Sequence, residues 1–416
     1  MEMTKELLTV TEIEGRGRAL VAAQPLRGGE IVLRDSPILL YSALPLITPS
    51  PHPYCHRCFK TLQKPQPQAQ PQVCPWCSHH VFCGPNCLSA ALSSSHSPWA
   101  CQALRRLRDP SSPLSAQPLD RQVQASFLVA AYNLAVVSPS NFQILLSLQG
   151  QPHDFAVADT TAAAQFLHSL ISTLCAPPPF LLEKQMFSAE LSAALLAKDK
   201  LNAFGLMEPF TELSQRSSRA YAIYPKASFF NHDCLPNACR FDYIDTDSEH
   251  NTDMVIRMIH DVPAGREICL SYFPVNQSYS NRQRTLAEDY GFACQCDRCK
   301  VEASWSDNEE GEEEAEGMDE DQDQEMEASS ESEPESGIDI EEAKAEAQGE
   351  ADFPHAYFFV RFMCNRTNCW GTLAPLPPKD DESPSNVMEC NVCASLKKDE
   401  HSYYCFLCLL GLCLKR

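Results

Sequence analysis

The sequence lacks any long apolar run, since nowhere do about 18 consecutive apolar residues occur, the length needed to span a bilayer. The amino-terminal stretch also has no apolar segment followed by a small-residue cleavage site, so it does not resemble a secretion signal. These absences argue against membrane and secreted proteins. We therefore expect a soluble intracellular protein, and 416 residues are enough for two or three domains.

A contiguous basic stripe is also missing. The formal charge of −22 is concentrated in residues 307–350, which hold 21 acidic residues and one lysine and leave −2 for the rest. Without basic clusters, direct sequence-specific binding of nucleic acid is disfavoured. The acidic tract has too few aromatic and aliphatic residues to offset the entropy of ordering, so we predict that it is disordered. It is either a solvated linker or a segment that docks on basic histone surfaces.

Cysteine is abundant, with 21 residues, most of them in short CxxC or CxC pairs. Intracellular thiols stay reduced, so this spacing favours zinc over disulfides. One array supplies enough ligands for two tetrahedral ions, and its members are Cys55, Cys58, Cys74, Cys77, Cys83, Cys87, His96 and Cys101. The remaining histidines of this segment, His52, His56, His79 and His80, are expected to face solvent. Cys175, Cys239 and Cys269 stand apart and are expected to be small buried apolar residues.

The hydrophobic pattern changes along the chain. Residues 10–42 and 202–273 contain β-branched segments between glycine turns, which is typical of short strands. Between about 118 and 200, apolar residues recur at three- and four-residue intervals, which predicts helices that pack against the sheet core. The sequence therefore predicts an α+β fold.

Four separated motifs carry the functional hypothesis: EGRGR at 14–18, NAFGL at 202–206, SFFNHDCLPNA at 228–238 and GREICLSYF at 265–273. Together they resemble the SET methyltransferase family over residues 8–300, and the first cysteine array resembles a MYND zinc finger. The chain is thus similar to the SET and MYND subfamily, and most similar to its plant ASH-related class. The resemblance implies a β-rich catalytic fold of small sheets with a pseudoknot, split by the zinc finger and a helical insert.

This resemblance divides the chain into seven segments. They are the amino-terminal SET part (8–50), the MYND-type finger (55–101), the helical insert (102–200), the SET core (201–275), a post-SET zinc site (276–300), the acidic tract (307–350) and a small separate cysteine-rich module (353–416).

The resemblance also implies the active-site residues. S-adenosyl-L-methionine would be bound by Gly15, Arg16, Gly17, Asn202, Phe204, Asn231, His232, Tyr272 and Phe292. Glycines in the first turn would let the backbone approach the cofactor closely. Tyr272 is the expected catalytic residue, because a buried hydroxyl can orient a lysine amine for in-line methyl transfer. Tyr290 is expected to act beside it, and Tyr290 and Phe292 would close the lysine channel.

Metal ligands follow in the same way. MYND pairing implies one zinc site from Cys55, Cys58, Cys83 and Cys87, and a second from Cys74, Cys77, His96 and Cys101. A third zinc is implied for Cys234, Cys294, Cys296 and Cys299. The spacing of Cys364, Cys369, Cys390 and Cys393 suits a fourth, ribbon-like site. The apolar tail with Cys405, Cys408 and Cys413 is too short to span a bilayer.

Three functions are consistent with these residues: a histone-lysine methyltransferase, a methyltransferase of lysines in other proteins, and an adaptor whose MYND finger binds proline-rich peptides beside an inactive SET fold. The intact string of Asn231, His232, Asn237 and Tyr272 favours an enzyme over the adaptor. The expected partner is a protein that presents a target lysine, on a histone tail or elsewhere, and no membrane partner is expected. The expected location is the nucleus on chromatin, with the cytoplasm as a second location.

Overall fold

The computed structural model describes residues 6–47, 53–62, 70–150, 157–175, 177–183, 186–212, 216–245, 251–304, 356–378 and 385–399. The acidic tract, the apolar tail with its three cysteines and His52 lie outside these ranges, so the predictions made for them stay predictions. Among the described residues, no helix combines the length and the apolar character needed to cross a membrane.

Short strands build the amino-terminal and central parts of the chain. They are β1 (Leu8–Ile13), β2 (Gly17–Ala22), β3 (Ile31–Asp35), β4 (Leu39–Ser42), β5 (Gln72–Val73), β6 (Val81–Phe82), β7 (Ala203–Met207), β8 (Ser218–Ile223), β9 (Asn231–His232), β10 (Ala238–Asp242), β11 (Met254–Met258) and β12 (Cys269–Leu270). Antiparallel pairing gives the sheets β1-β2, β10-β11-β3, β4-β8-β7 and β5-β6, whereas β9 and β12 pair in parallel.

The helices begin within the finger segment and continue through the region where the sequence predicts them. They are α1 (Pro85–Leu92), α2 (Pro98–Leu107), α3 (Leu119–Val137), α4 (Pro139–Ser147), α5 (Val157–Leu174), α6 (Pro179–Glu183) and α7 (Ala189–Asn202). Helix α3 contributes many residues to their core. The centre of its Phe127 ring lies 5.3 Å from the ring centre of Tyr41 in β4. Helices α3 to α7 therefore lie where the hydrophobic pattern predicts helices, and α3 packs against the sheet that contains β4.

Strand β11 explains how the carboxy-terminal part attaches. Side chains alternate between the two faces of a strand. Met254, Ile256 and Met258 point into the central core, while Val255 and Arg257 face the other way. All five residues are buried, because the carboxy-terminal part of the chain covers this second face.

That part begins with α8 (Tyr279–Thr285), a π-helical turn (Leu286–Tyr290) and α9 (Asp297–Glu302), and continues with α10 (Ala356–Phe362), β13 (Leu373–Pro375), β14 (Val387–Cys390) and β15 (Leu396–Lys398). Phe358, Phe362 and Leu373 share one apolar cluster with Phe241 and Val255 of the central sheet. The carboxy-terminal residues therefore share a core with the SET region, although the sequence suggests a separate module.

Candidate active site and metal centres

The candidate site is built where two very short strands cross. Strands β9 and β12 pair in parallel, with Asn231 opposite Cys269 and His232 opposite Leu270. Asn237 joins the two segments, since its amide donates to the carbonyl of Glu267 (2.8 Å) and its side-chain oxygen accepts from the N–H of Cys269 (2.8 Å). Strand pairing and this asparagine thus hold together two segments that lie more than 30 residues apart, where the resemblance implies a pseudoknot.

Tyr272 follows β12 directly and is fixed at both ends. Its N–H donates to Nδ1 of His232 (3.1 Å), and its hydroxyl donates to the carbonyl of Phe230 (2.9 Å). The ring of Tyr290 lies 4.7 Å from its ring. Burial raises the pKa of Tyr272 well above its usual value, so the hydroxyl stays protonated at neutral pH. The site thus presents a rigid, neutral hydroxyl.

His232 connects this tyrosine to a metal site. Burial lowers the pKa of His232 to about 3, so the imidazole is neutral. Because Nδ1 accepts the N–H of Tyr272, the ring proton resides on Nε2, which lies 3.2 Å from Sγ of Cys234. Such a hydrogen bond to a metal thiolate would orient both groups.

A cavity of about 420 Å³ opens beside Tyr272. Its aromatic wall includes Phe204, Phe230, Tyr272, Phe273 and Tyr290. Such a wall suits the aliphatic part of a lysine side chain, while the tyrosine hydroxyl supplies a polar end.

The glycine turn lies against the strand crossing. Gly15 and Gly17 have φ values of +73° and +71°, which only glycine adopts readily, and a Cβ at either position would meet no atom within 4 Å. Between them, Arg16 donates from Nη2 to the carbonyl of His232 (2.8 Å) and pairs through Nε with Glu267 (3.2 Å). The turn therefore borders open space and is held to β9 by its arginine.

Asn231 completes this cluster, because its amide donates to Oε1 of Glu267 (2.9 Å). Glu267 thus binds both Arg16 and Asn231, a role that the sequence motifs did not reveal. The acidic residue two positions before Cys269 in GREICLSYF was the only available signal.

The other predicted cofactor residues are spread around the same region. Asn202 and Phe204 line the cavity. The Asn202 amide donates to the carbonyls of Gln149 (2.7 Å) and Lys198 (2.8 Å), so it also ends α7. Phe292 is 40% exposed and is absent from the cavity lining, so the expectation that it closes the channel stays a prediction.

Within the part of the chain that the structure describes, four groups of side chains lie close enough to hold metal ions, and they are the four predicted from sequence: Cys55, Cys58, Cys83 and Cys87; Cys74, Cys77, His96 and Cys101; Cys234, Cys294, Cys296 and Cys299; and Cys364, Cys369, Cys390 and Cys393. A tetrahedral zinc ion with Zn–S bonds of about 2.3 Å requires sulfurs about 3.8 Å apart. The Sγ separations of Cys58–Cys83 (3.8 Å), Cys74–Cys101 (3.8 Å), Cys234–Cys294 (3.9 Å) and Cys364–Cys393 (3.8 Å) fit this requirement.

A positively charged side chain beside the third group indicates that its cysteines are thiolates that could bind a cation. Arg282 is fully buried and donates from Nε to Sγ of Cys234 (3.2 Å) and from Nη2 to Sγ of Cys299 (3.6 Å). Its guanidinium also pairs with Glu302, which in turn binds Arg298. Four thiolates around a divalent ion leave excess negative charge, and a guanidinium at hydrogen-bonding distance offsets part of it.

One prediction about the finger is wrong. His79 is exposed as expected, but His56 is half-buried and His80 is buried, and the centre of the His80 ring lies 4.2 Å from the ring centres of both His56 and His96. Its Nδ1 lies 3.3 Å from Sγ of Cys77. His80 therefore packs beside the second metal group. Cys175, Cys239 and Cys269 are buried, as predicted.

Several known proteins resemble this chain in sequence. The SET domain family matches residues 17–273. The chain is 57% identical, over 95% of its length and 96% of the relative's, to histone-lysine N-methyltransferase ASHR2 of Arabidopsis thaliana. It is 24% identical to the human histone-lysine N-methyltransferase SMYD3, over 69% of this chain and 60% of that protein. The solved SET domain of LSMT bound to lysine and AdoHcy superimposes with a TM-score of 0.32 at 14% identity, covering 70% of this chain and 54% of that chain. The chain belongs to the SET domain family.

Proposed function

We propose that this protein is an S-adenosyl-L-methionine-dependent protein-lysine N-methyltransferase that modifies histones. The observation that carries the proposal is the position of Tyr272, fixed between the cavity and the cluster formed by the glycine turn and the strand crossing. The relative with 57% identity bears the name of a histone-lysine N-methyltransferase, which supports the same activity and substrate class.

The cofactor side of the site is assigned to residues with open space beside them. Gly15 and Gly17 offer backbone without a side chain in the way, and Arg16, Asn231 and His232 are held together behind them. Asn202, Phe204 and Phe292 are assigned to the cofactor as well, and the first two also line the cavity. The bound cofactor supplies an electrophilic methyl group on a positively charged sulfur.

The lysine side of the site is assigned to the aromatic cavity. A lysine amine must be neutral to accept a methyl group, and its pKa near 10.4 has to fall. An apolar channel lowers the pKa of an amine because burial disfavours the charged form. Tyr272 and Tyr290 would orient the amine lone pair along the transfer direction. Because the Tyr272 hydroxyl is already fixed, no free energy is needed to order it during the reaction.

The metal groups are assigned structural roles, because each has four protein ligands and no open position for chemistry. The third group holds the segment that carries Tyr290 and Phe292 next to Cys234 and thus next to β9. A role of the first two groups in binding a proline-rich partner, and a nuclear location on chromatin, belong to the same proposal.

Transfer of labelled methyl from S-adenosyl-L-methionine to core histones and to a whole-cell protein extract tests this proposal. Tyr272→Phe is expected to reduce transfer about 100-fold, because one preorganised hydroxyl is lost from the reacting centre. Cofactor binding, measured by calorimetry, should persist in this variant.

Tyr279→Phe serves as the matched control, since Tyr279 lies outside the cavity lining. It should keep full transfer. Label on extract proteins but not on histones would support the methyltransferase activity and show that the substrate is a protein other than a histone. Absence of both transfer and cofactor binding in the wild-type protein would contradict the proposal and favour an adaptor.

A further inference from the structure

The residues 356–378 and 385–399, here termed the four-cysteine module, are attached rigidly to the SET core. Arg257 of β11, which is 1% exposed, pairs with Glu389 of β14 at 2.8 Å. Asn391 donates from Nδ2 to the carbonyl of Arg240 (3.1 Å). Buried polar contacts of this kind fix relative position, because breaking them leaves desolvated groups without partners. The module therefore has a defined place beside the cavity.

The parts of the module that reach the cavity are its ligand turns. Trp370 directly follows the ligand Cys369, and Asn391 and Val392 lie between the ligands Cys390 and Cys393. Trp370, Thr372, Asn391 and Val392 line the same 420 Å³ cavity as Tyr272 and Tyr290. A metal group with no open coordination position thus shapes a wall of the candidate substrate site.

Trp370 has an unusual conformation on this wall. Its φ is +38°, a region that bulky residues rarely occupy, and the residue is 51% exposed. The next residue is Gly371, where a Cβ would overlap Sγ of Cys390, so the turn is packed tightly against the metal group. Strained backbone is retained where surrounding structure enforces it, commonly at binding sites. The turn holds a large aromatic side chain at the cavity edge.

We propose that the ligand turns of the four-cysteine module form one wall of the substrate cleft, and that Trp370 is a specificity-determining residue that packs against the substrate polypeptide beside its target lysine. This inference rests on the proposed function, since the lysine at Tyr272 defines the occupant. A lysine side chain that reaches Tyr272 through the cavity brings its flanking residues past the other lining groups. A half-exposed tryptophan is well suited to hold them, because its ring offers a large contact area with little entropy to lose.

Steady-state methyl transfer to core histones by the full-length protein tests this inference. Trp370→Ala is expected to raise the KM for histones roughly tenfold, as for loss of an aromatic anchor at an interface. We expect kcat to change little and the calorimetric affinity for S-adenosyl-L-methionine to stay at the wild-type value. Trp370→Phe should recover most of the wild-type KM, which a purely structural role in the turn does not require.

Trp76→Ala is the matched control. Trp76 is 49% exposed and also lies beside metal ligands, but it is not part of the cavity wall. The KM of the Trp76→Ala variant for histones should equal that of the wild-type protein. A wild-type KM in Trp370→Ala, or an equal rise in Trp76→Ala, would overturn the inference while leaving the proposed function intact. A wild-type protein that transfers no methyl group would instead overturn the proposed function, and this inference with it.

Discussion

At the scale of single residues, Asp199 is a titratable group with an unusual environment. Its carboxylate accepts a hydrogen bond from the hydroxyl of Tyr41 at 2.6 Å. Desolvation by burial raises the pKa of Asp199 to about 7. Between its ordinary pKa of 3.8 and this value, the folded protein holds a proton that the unfolded chain has released. Raising the pH through this range must therefore destabilise the fold.

We predict that the free energy of unfolding falls as pH rises from 5.5 to 7, with a slope approaching about 1.4 kcal/mol per pH unit from this group alone, and that this contribution levels off above the folded pKa. Asp199→Asn should remove the slope. Urea unfolding of both proteins at several pH values measures this slope. Subtracting one free energy of unfolding from the other cancels the titration of all other groups. Parallel pH profiles would refute the assigned shift.

The residues of the site were predicted unequally well. Tyr272, Asn231 and His232 stand in long motifs whose resemblance to a family gives their roles, and the structure brings them together at the strand crossing. Glu267 was missed because a lone acidic residue in a strand-like segment is usually solvent-exposed, and only the fold brings Arg16 and Asn231 to it. His80 was placed wrongly, because the sequence does not show which way a residue beside a ligand turns.

At the scale of elements, local spacing made the ligand pairs predictable and the family resemblance implied how most of them group, whereas the crossing strands were much less predictable. A CxxC pair places two ligands on one turn whatever surrounds it, and the four predicted groups all assemble. Strands β9 and β12 are two residues each, too short for any hydrophobic period to register. The cavity wall formed by Trp370 could not be predicted, because it depends on contacts between segments far apart in sequence.

The crossing of β9 and β12 depends on one side chain more than on its few strand hydrogen bonds. Asn237 is 8% exposed and bridges Glu267 and Cys269. We predict that Asn237→Ala lowers the free energy of unfolding by at least about 2 kcal/mol, since it leaves the buried N–H of Cys269 and the partly buried carbonyl of Glu267 without this partner. Cofactor affinity should fall as well, because the crossing positions Asn231 and His232.

Chemical denaturation and calorimetry with S-adenosyl-L-methionine measure the two effects. Asn281→Ala is the control, because the Asn281 side chain makes only an exposed hydrogen bond with Arg284 among the described contacts. It should change stability by less than about 0.5 kcal/mol. Equal stability of the two variants would show that Asn237 does not hold the crossing.

At the scale of the whole molecule, β11 connects the catalytic region to the four-cysteine module. Its sequence MVIRM is nearly all apolar, which indicates burial on both faces, but the residue that pairs with its arginine lies 132 positions later. The arginine is held by Glu389 on one side and by the ring of Phe241, with its guanidinium carbon 3.7 Å from the ring centre. The sequence could thus indicate that this face is covered but not which segment covers it.

This connection gives the last prediction. Glu389→Ala should lower the free energy of unfolding by about 3–5 kcal/mol, because it leaves the Arg257 guanidinium buried without its partner. Replacing both residues by methionine should recover much of that loss, since a buried ion pair contributes little net stability over apolar side chains of similar size. The exposed pair of Arg366 and Glu212 joins the same module to the core at 2.7 Å, and Glu212→Ala should leave stability almost unchanged because solvent screens this pair. Urea unfolding of these three variants and the wild-type protein in zinc-containing buffer tests the series.

A double variant no more stable than Glu389→Ala would mean that the module needs the charge pair itself. A large loss of stability in Glu212→Ala would mean that the exposed pair, and not the buried one, attaches the module.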